Sequence, residues 1–264
     1  MQAAAGARTL ARPRTARPRR RSTAARLRLV AYGVAGLGLL VVLNWCYHAI
    51  RKPTELLAPV STALAKTPRD TWVAYGPLFT EHSTDVMTPE LLAALAQVEG
   101  SGNPIARTYW RWRWSLNPFE IYGPASSAVG MLQITDGTYQ EARRYCIHDH
   151  AVARQGAWLD PESCWFNGLY SRAVPSHAIE MTSAYLHQSV ADTLERSGVA
   201  RASLAQKQDL AAVIHLCGAG RGDAFAKRGF RPGPAERCGD HGMRQYLGRV
   251  SLLKREFGRL RSAG

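Results

Sequence analysis

A single carboxylate stands at the end of an apolar helical pattern in residues 88–104, TPELLAALAQVEGSGNP. Thr88 is a typical N-cap residue and Pro89 suits the first helical position, so the pattern predicts a helix that starts here. Leucines recur at helical spacing, and Glu99 lies on nearly the same face as Leu92, seven residues earlier. Apolar surroundings disfavour the charged form of a carboxyl group, and a neutral carboxyl can act as a general acid. The same pattern also fits a glutamate that points to solvent where its helix ends.

Three later segments combine small residues or glycines with an isolated polar group. Residues 125–135, ASSAVGMLQIT, are small up to Gly130 and then apolar, with one amide at Gln133. Residues 215–225, HLCGAGRGDAF, continue a strongly apolar helical pattern into three glycines. Tyr246 lies on the apolar stripe of the last predicted helix. Each segment alone is weak evidence, whereas their order along the chain is informative.

Taken in this order, the four segments resemble the transglycosylase domain of the soluble-type lytic transglycosylases, a family with a goose-lysozyme-like helical fold. Glu99 stands at the position of the family's catalytic glutamate. Residues 127–133 match the family's G-A-x-G-L-M-Q segment, residues 214–220 match A-Y-N-A-G-x-G through their glycines, and residues 244–250 match R-x-Y-V-x-x-V. The resemblance covers residues 89–255, which is most of the chain that follows an N-terminal apolar run.

The chain departs from the family's pattern in three places. Gly100 stands where serine is usual. His215 and Leu216 stand where tyrosine and asparagine are usual, so the substrate contacts of the third segment differ. The stretch between Glu99 and Gly130 is also longer than usual, and it contains the run YWRWRW.

This tryptophan run has two interpretations. Tyr109, Trp110, Trp112 and Trp114 have the chemistry to stack on sugar rings or to bind a partner. Alternatively, the tryptophans cover the core beneath a long loop. The alternation of tryptophan and arginine also fits a β-strand with aromatic residues on one face.

The resemblance implies a mechanism that uses one carboxylate and needs no metal or cofactor. Glu99 would protonate the glycosidic oxygen between N-acetylmuramic acid and N-acetylglucosamine, and would then take the proton of the C6 hydroxyl, which gives a 1,6-anhydro sugar. Tyr246 would form a hydrogen bond near Glu99, and the glycan would be held by Ser127, Gln133 and the backbone around Met131. From the residues alone, Tyr246 also fits an ordinary core position, and Gln133 also fits an amide that binds loop carbonyls.

Two other functions are consistent with the sequence. The first is a lysozyme-like hydrolase of the same bond, in which Asp136 or Glu120 supplies the second carboxylate that ordinary glycosidases need. The second is a non-catalytic assembly protein that binds glycan or a protein partner. An anchored enzyme could also open the wall locally for an envelope-spanning machine, so secretion, conjugation and pilus machinery are candidate partners.

The elements that must position these residues are predicted to be mainly helical. Helical periodicity marks residues 135–145, 176–198, 209–216 and 243–257, in addition to the helix that carries Glu99. Apart from the tryptophan run, the sequence has no strand pattern of comparable strength and no internal repeat. We therefore expect a mainly α chain in which residues 85–264 form one lysozyme-like helical domain.

The N-terminal part of the chain has the composition of a membrane anchor. Residues 1–28 contain nine arginines and no acidic residue, and they are too poor in apolar residues to fold alone. Residues 29–47 carry no formal charge, have Tyr32 and Trp45 near their ends, and are long enough to span a bilayer. We expect an uncleaved transmembrane signal-anchor over residues 29–50. A cleaved signal peptide is the alternative, but no small-x-small cleavage site follows.

The positive-inside rule predicts the orientation of this anchor. The arginine-rich end stays in the cytoplasm, which places the rest of the chain in a bacterial periplasm, held by the inner membrane and next to peptidoglycan. Residues 51–84 contain four prolines and few periodic apolar residues, so we expect a linker or stalk there that becomes ordered near the domain. Much of the formal net charge of +14 lies in the N-terminal tail, so it gives little support to nucleic-acid binding, and no nucleic-acid partner is expected.

Four cysteines lie in the part of the chain that is predicted to be exported: Cys146, Cys164, Cys217 and Cys238. An even number in an oxidising compartment suggests two disulfides, and sequence proximity favours Cys146–Cys164 and Cys217–Cys238. The segment CIHDH also brings His148 and His150 close to Cys146, but this spacing matches no common zinc pattern. We therefore predict two disulfides and no metal site.

Overall fold

The computed structural model describes residues 23–263, except for the side chain of Ala58, and helices dominate within them. The chain divides after Cys46 into an N-terminal unit and a larger unit that begins at Tyr47. The predicted mainly helical class is therefore confirmed. Most of the arginine-rich tail falls outside the described residues.

Helix α1, Thr23–Arg51, contains the predicted membrane span. Among the described residues it is the one helix that is long and apolar enough to cross a bilayer, judged by length and composition. The predicted N-terminal apolar helix is therefore present. The expected span extends to residue 50. In the structure, Tyr47 already belongs to the larger unit, and His48 and Ala49 are buried in that unit.

Eight α-helices follow within residues 47–263: α2 (Ala58–Ser61), α3 (Pro68–Glu81), α4 (Pro89–Gly100), α5 (Asp136–Ala142), α6 (Pro175–Arg196), α7 (Leu204–Cys217), α8 (Ala219–Lys227) and α9 (Met243–Ser262). Short 3-10 turns span Pro53–Leu57, Thr62–Leu64, Pro118–Glu120 and Trp165–Leu169. The side chain of Thr88 accepts a hydrogen bond from the Leu91 amide and so caps α4. Ser203 and Gln206 form a capping box at the start of α7.

The core forms around α4. This helix packs against both α3 and α9, and α9 also contacts α7, which packs on α6. Leu91, Leu92 and Leu95 of α4 are fully buried, as is Phe257 of α9. Burying each such side chain contributes about 1.5–3 kcal/mol, so the apolar stripes of the sequence determine how these helices meet. Their packing brings the C-terminal end of α4 next to α9.

The expected linker over residues 51–84 is wrong, because most of this stretch is helical and packed. Pro68 lies in the first turn of α3, where proline's missing amide hydrogen removes no helical hydrogen bond. Phe79 of α3 is fully buried in the core, and Thr71 donates a 2.7 Å hydrogen bond to Gln97 of α4. The prolines that suggested a linker mostly begin helical turns, so the folded domain starts well before residue 85.

Three short antiparallel hairpins complete the larger unit. Strand β1 (Trp110–Trp112) pairs with β2 (Tyr122–Pro124), β3 (Tyr145–His148) pairs with β4 (Ala151–Arg154), and β5 (Arg237–Cys238) pairs with β6 (His241–Gly242). The tryptophan run thus includes a strand, which is the conformation that its alternation fits. The helix expected over residues 135–145 ends at Ala142 instead, because Tyr145 begins β3.

Both predicted disulfides are present. Cys146 pairs with Cys164, with Cα atoms 5.5 Å apart, and Cys217 pairs with Cys238, with Cα atoms 5.4 Å apart. The second disulfide joins the end of α7 to β5. Because the sulfur of Cys146 is oxidised, it cannot serve as a thiolate ligand, which removes the zinc interpretation of the CIHDH segment.

Candidate active site

Glu99 lies in the last turn of α4, on the wall of an open groove of about 600 Å³ within the larger unit. Its side chain is 17% exposed, so a ligand in the groove can reach it while most of its surface is covered. The alternative of a glutamate that simply points to solvent is therefore wrong. The packing of α4 holds the carboxylate against the groove.

Gly100 lets the end of α4 approach the second segment closely. A Cβ atom at Gly100 would lie 2.7 Å from the Cα atom of Met131 and 2.8 Å from its carbonyl oxygen. Next to it, Ser101 ends the helix in the left-handed conformation and is exposed. The glycine that replaces the family's usual serine is thus explained by close backbone packing.

Tyr246 reaches Glu99 from α9. The tyrosine hydroxyl donates a hydrogen bond of 2.5 Å to Oε1 of Glu99. Burial, together with the nearby Glu99 carboxylate, raises the pKa of Tyr246 well above its ordinary value. The phenol therefore stays protonated and remains a donor. The hydrogen bond that the resemblance predicts between these two residues is present.

His215 brings the third segment to the same carboxylate. It lies in the last turn of α7, its side chain is 8% exposed, and its Nε2 is 3.9 Å from Oε1 of Glu99. At this distance the two groups interact electrostatically when the imidazole is charged, but they do not form a hydrogen bond. Leu216 also lines the groove.

The turn that carries Gln133 forms one side of the groove, but not all of its predicted residues reach the groove. Gln133 lines it, yet its side-chain amide donates hydrogen bonds of 3.1 and 2.8 Å to the carbonyls of Ala106 and Gly130. Met131 is fully buried in the core. The hydroxyl of Ser127 accepts a hydrogen bond from the first amide of α5. The Gln133 amide nitrogen thus binds loop carbonyls, as its structural alternative predicts, and the side chains of Ser127 and Met131 do not line the groove. The glycan contacts of Ser127 and of the backbone around Met131 stay predictions.

Asp240 is a second carboxylate that lines the groove, and the sequence analysis did not identify it. It lies in the turn between β5 and β6, where its Oδ2 accepts a 2.7 Å hydrogen bond from the Tyr109 hydroxyl. The two carboxylates named from the sequence lie elsewhere. Asp136 forms a 2.8 Å ion pair with Arg172, and Glu120 accepts hydrogen bonds within its own turn. The sequence feature that could have identified Asp240 is its position just after Cys238, a cysteine whose disulfide ties this turn to α7.

The groove lining carries charges of both signs. Arg111 and Arg249 line it together with His241. Arg107 lines it as well, but its guanidinium is paired with the buried Glu55 at 2.7 Å. Among the described residues, the carboxylates of Glu99 and Asp240 balance the charges of the two other arginines. Arg111 and Arg249 are the groups that can pair with an anionic part of a ligand.

The tryptophan run lies mostly outside the groove. Tyr109 lines it, whereas Trp110, Trp112 and Trp114 do not. Trp110 is half-buried and donates a 3.0 Å hydrogen bond to Glu55, but Trp112 and Trp114 are exposed. Trp112 and Trp114 therefore do not stack on a sugar in the groove, and they do not cover the core.

No protein-family model, curated protein or solved structure matches this chain. A functional proposal therefore depends on the four sequence segments and on the geometry of the groove.

Proposed function

We propose that this chain is a membrane-anchored peptidoglycan lytic transglycosylase with a lysozyme-like helical domain. The observation that carries the proposal is the hydrogen bond from Tyr246 to Glu99. This bond links the first and last of the four segments, 147 residues apart, at the carboxylate that the resemblance assigns to catalysis. An ordinary core tyrosine does not need its hydroxyl to meet a carboxylate on the wall of an open groove.

In the proposed first step, Glu99 donates a proton to the oxygen that links C1 of N-acetylmuramic acid to N-acetylglucosamine. The bond between C1 and this oxygen breaks, and the N-acetyl group of the same sugar assists at the anomeric carbon. Because Tyr246 donates to Oε1, the transferable proton of Glu99 resides on Oε2.

In the second step, the Glu99 carboxylate accepts the proton of the C6 hydroxyl while the C6 oxygen forms a bond to C1 and displaces the N-acetyl oxygen from it. The product is a 1,6-anhydro sugar, Glu99 is protonated again, and no water is consumed. One carboxylate thus serves first as acid and then as base. Ordinary glycosidases need a second carboxylate, so the products of the two mechanisms differ.

Two arginines on the groove wall support this substrate. Peptidoglycan carries carboxylates on the peptide stems that are attached to N-acetylmuramic acid. Arg111 and Arg249 lie on the groove wall, where guanidinium groups can pair with such carboxylates.

We propose that α1 is a signal-anchor in a bacterial inner membrane, with its arginine-rich end in the cytoplasm and the larger unit in the periplasm. The apolar composition of α1 and the two disulfides support this location. An enzyme held there would open the wall locally, for example for a secretion, conjugation or pilus machine.

Asp240 supports a second candidate, a lysozyme-like hydrolase of the same bond. In that mechanism Asp240 would activate water or stabilise the positive charge at the anomeric carbon. We rank it second, because Asp240 is already hydrogen-bonded to Tyr109 at the rim of the groove.

The substitution Glu99→Gln tests the proposal. The amide cannot donate an acidic proton, so we expect lysis of purified sacculi to be abolished while thermal stability is equal or higher. Glu90→Gln is the matched control, because Glu90 lies on the same helix but pairs with Arg261 outside the groove. Lysis at the wild-type rate by the Glu99→Gln protein would exclude Glu99 as the acid.

Mass spectrometry of digested peptidoglycan separates the two candidates. 1,6-anhydro ends indicate transglycosylation, whereas reducing ends indicate hydrolysis. Asp240→Asn gives an independent comparison, because a hydrolase that uses Asp240 loses its activity and a transglycosylase retains it. Glycan binding without cleavage by the wild-type protein would indicate a non-catalytic role.

A further inference from the structure

The hairpin formed by β1 and β2 carries large apolar side chains that nothing in the described structure covers. Trp112 is 75% exposed, and Trp114 and Leu116 are fully exposed. Arg111 and Arg113 alternate with the tryptophans and are exposed as well. Exposed tryptophan and leucine side chains next to arginines are a combination that soluble surfaces rarely keep without a partner.

The hairpin is fixed to the last turn of α1. Nε2 of His48 donates a 2.8 Å hydrogen bond to the carbonyl of Phe119, in the loop of the hairpin. The ring of Tyr47 stacks on that of Phe119, with centroids 5.1 Å apart, and His48 meets the ring of Trp110 edge-on at 5.0 Å. Gly123 allows this approach, because a Cβ atom there would lie 2.5 Å from Nε2 of His48.

A buried ionic cluster strengthens the same attachment. The carboxylate of Glu55 is fully buried, and it pairs with Arg107 at 2.7 Å and with Lys52 at 3.4 Å. Trp110 donates to the same carboxylate. Burial lowers the pKa of Lys52, which the Glu55 charge partly offsets. The segment that follows α1 and the first strand of the hairpin therefore form one rigid body.

This attachment locates the hairpin relative to a membrane. The run without formal charge that begins at Leu29 extends to Ile50, within one helical turn of Tyr47, and the end of such a run lies at the boundary between lipid and water. The hairpin contacts Tyr47 and His48 directly, so it lies at this boundary too. Tryptophan is the residue that this boundary favours, and arginine binds lipid phosphates.

We propose that the hairpin binds the phospholipid headgroup region of the membrane that α1 spans, with Trp112, Trp114 and Leu116 inserted among the lipids. The proposal rests on the membrane anchoring given under the proposed function, but not on catalysis. Tyr109 and Arg111, at the start of the same hairpin, line the groove. Lipid binding would therefore hold one wall of the groove at the membrane surface.

The test uses the full-length protein in bilayers that contain phospholipids brominated near the headgroup end of the acyl chains. Bromine quenches the emission of tryptophans that contact it, and the chain has seven tryptophans. We expect the double substitution Trp112→Ser and Trp114→Ser to remove part of the quenched emission. Trp158→Ser is the matched control, because Trp158 is 77% exposed on another loop, so its loss should reduce the unquenched emission. Near-ultraviolet circular dichroism checks that each variant is folded.

The variant Trp45→Phe distinguishes this proposal from the anchoring on which it rests. Loss of quenched emission in Trp45→Phe, but not in the double variant, would overturn the hairpin proposal and leave the anchor intact. No loss in either variant would overturn both. The emission that the double variant lacks is that of Trp112 and Trp114. If soluble glycan fragments change this emission and brominated lipid does not, the hairpin binds sugar and the lipid proposal is wrong. The detergent-solubilised double variant should lyse sacculi at the wild-type rate. The result of the quenching test is therefore independent of the proposed catalysis.

Discussion

Two residues on different helices determine what the groove can do. Glu99 offers a carboxyl group that a ligand can reach, and Tyr246 fixes one of its oxygens through a hydrogen bond. Because the pKa of Tyr246 is raised by burial, its hydroxyl remains a donor at neutral pH whether Glu99 is charged or neutral. The pair can therefore keep its geometry while Glu99 loses and regains a proton.

We predict that Tyr246→Phe lowers the rate of sacculus lysis by about 10- to 100-fold, which corresponds to a hydrogen bond to a charged group of about 1.5–3 kcal/mol. The loss should appear in kcat, since the hydroxyl contacts Glu99, the proposed acid, rather than the sugar. Turbidity loss of sacculi at saturating and limiting substrate measures it.

Tyr139→Phe is the control for this prediction. The Tyr139 hydroxyl donates to the backbone carbonyl of Tyr170, away from the groove, so its removal costs a tyrosine hydrogen bond to a neutral acceptor without touching Glu99. If both variants lose the same activity, Tyr246 has only a structural role.

The residue-level predictions succeeded where a side chain's environment follows from its own helix. Glu99 and Tyr246 lie on strong apolar stripes, and their contact follows once α4 packs on α9. Ser127 and Met131 were assigned to the glycan because a motif match fixes the path of the backbone, but it does not show which side chains face the groove. Asp240 reaches the groove through the Cys217–Cys238 disulfide, a tertiary link that no local pattern reports.

At the scale of elements, the site depends on how closely the end of α4 approaches the turn at Met131. We predict that Gly100→Ser, which introduces the residue usual in the resembled family, destabilises the fold by about 1–3 kcal/mol, as overpacking does. It should also lower activity, because Glu99 precedes this position. Denaturant unfolding and sacculus lysis measure the two effects.

Gly248→Ala is the control for that substitution, and its expected effect on stability has the opposite sign. Gly248 lies in the interior of α9 with no atom in the space that a Cβ would occupy. Alanine there should stabilise the protein by about 0.5–1 kcal/mol. Equal stability of the Gly100→Ser variant and the wild type would show that α4 can move away from Met131 without cost.

The contact between α7 and α9 predicts a pH dependence. Burial raises the pKa of Asp209 above its ordinary 3.8, although Lys254 acts in the opposite direction. Folded Asp209 therefore holds its proton more tightly than unfolded Asp209, so its charged form costs stability at neutral pH, and this cost disappears as pH falls through the raised pKa. We predict that Asp209→Asn raises Tm at neutral pH and that the gain shrinks toward acidic pH. A lower Tm for this variant at neutral pH would mean that the attraction to Lys254 outweighs burial.

The long helices could be predicted from sequence because their apolar stripes repeat over several turns. Helix α9 and the buried α7 are the clearest cases. Among the short strands only β1 had a sequence signal, the alternation of the tryptophan run, since strands of two to four residues contain at most two periods of alternation. The linker prediction failed because proline suits the first turn of a helix, as Pro68 does in α3, and because α3 also continues through Pro77 in its interior.

At the scale of the whole molecule, the two disulfides stabilise the fold to a similar extent but differ in which part of it they hold in place. They close loops of similar length, with sequence separations of 18 and 21, so each contributes about 3 kcal/mol in the chain-entropy model. Directly after Cys238, the turn from Gly239 to Gly242 lines the groove. The bond between Cys146 and Cys164 has no such neighbour.

We predict that replacing Cys217 and Cys238 by serine lowers sacculus lysis more than replacing Cys146 and Cys164, although both pairs of substitutions lower Tm similarly. The physical reason is that the wall containing Asp240 and His241 loses its link to α7. Thermal denaturation and lysis rates at a temperature where both variants remain folded compare the two. Equal activities would show that the β5–β6 hairpin keeps its position without the covalent link.

The folded unit begins at Tyr47, within the last turn of α1, and the described residues that follow contain no long unstructured segment. A flexible tether of the 34 residues from 51 to 84 would have had a root-mean-square span of about 32 Å. Without that tether, the distance an anchored enzyme can work from its membrane is set by the dimensions of the folded unit itself. Under the proposed function, such an enzyme would meet the glycan strands nearest the membrane first.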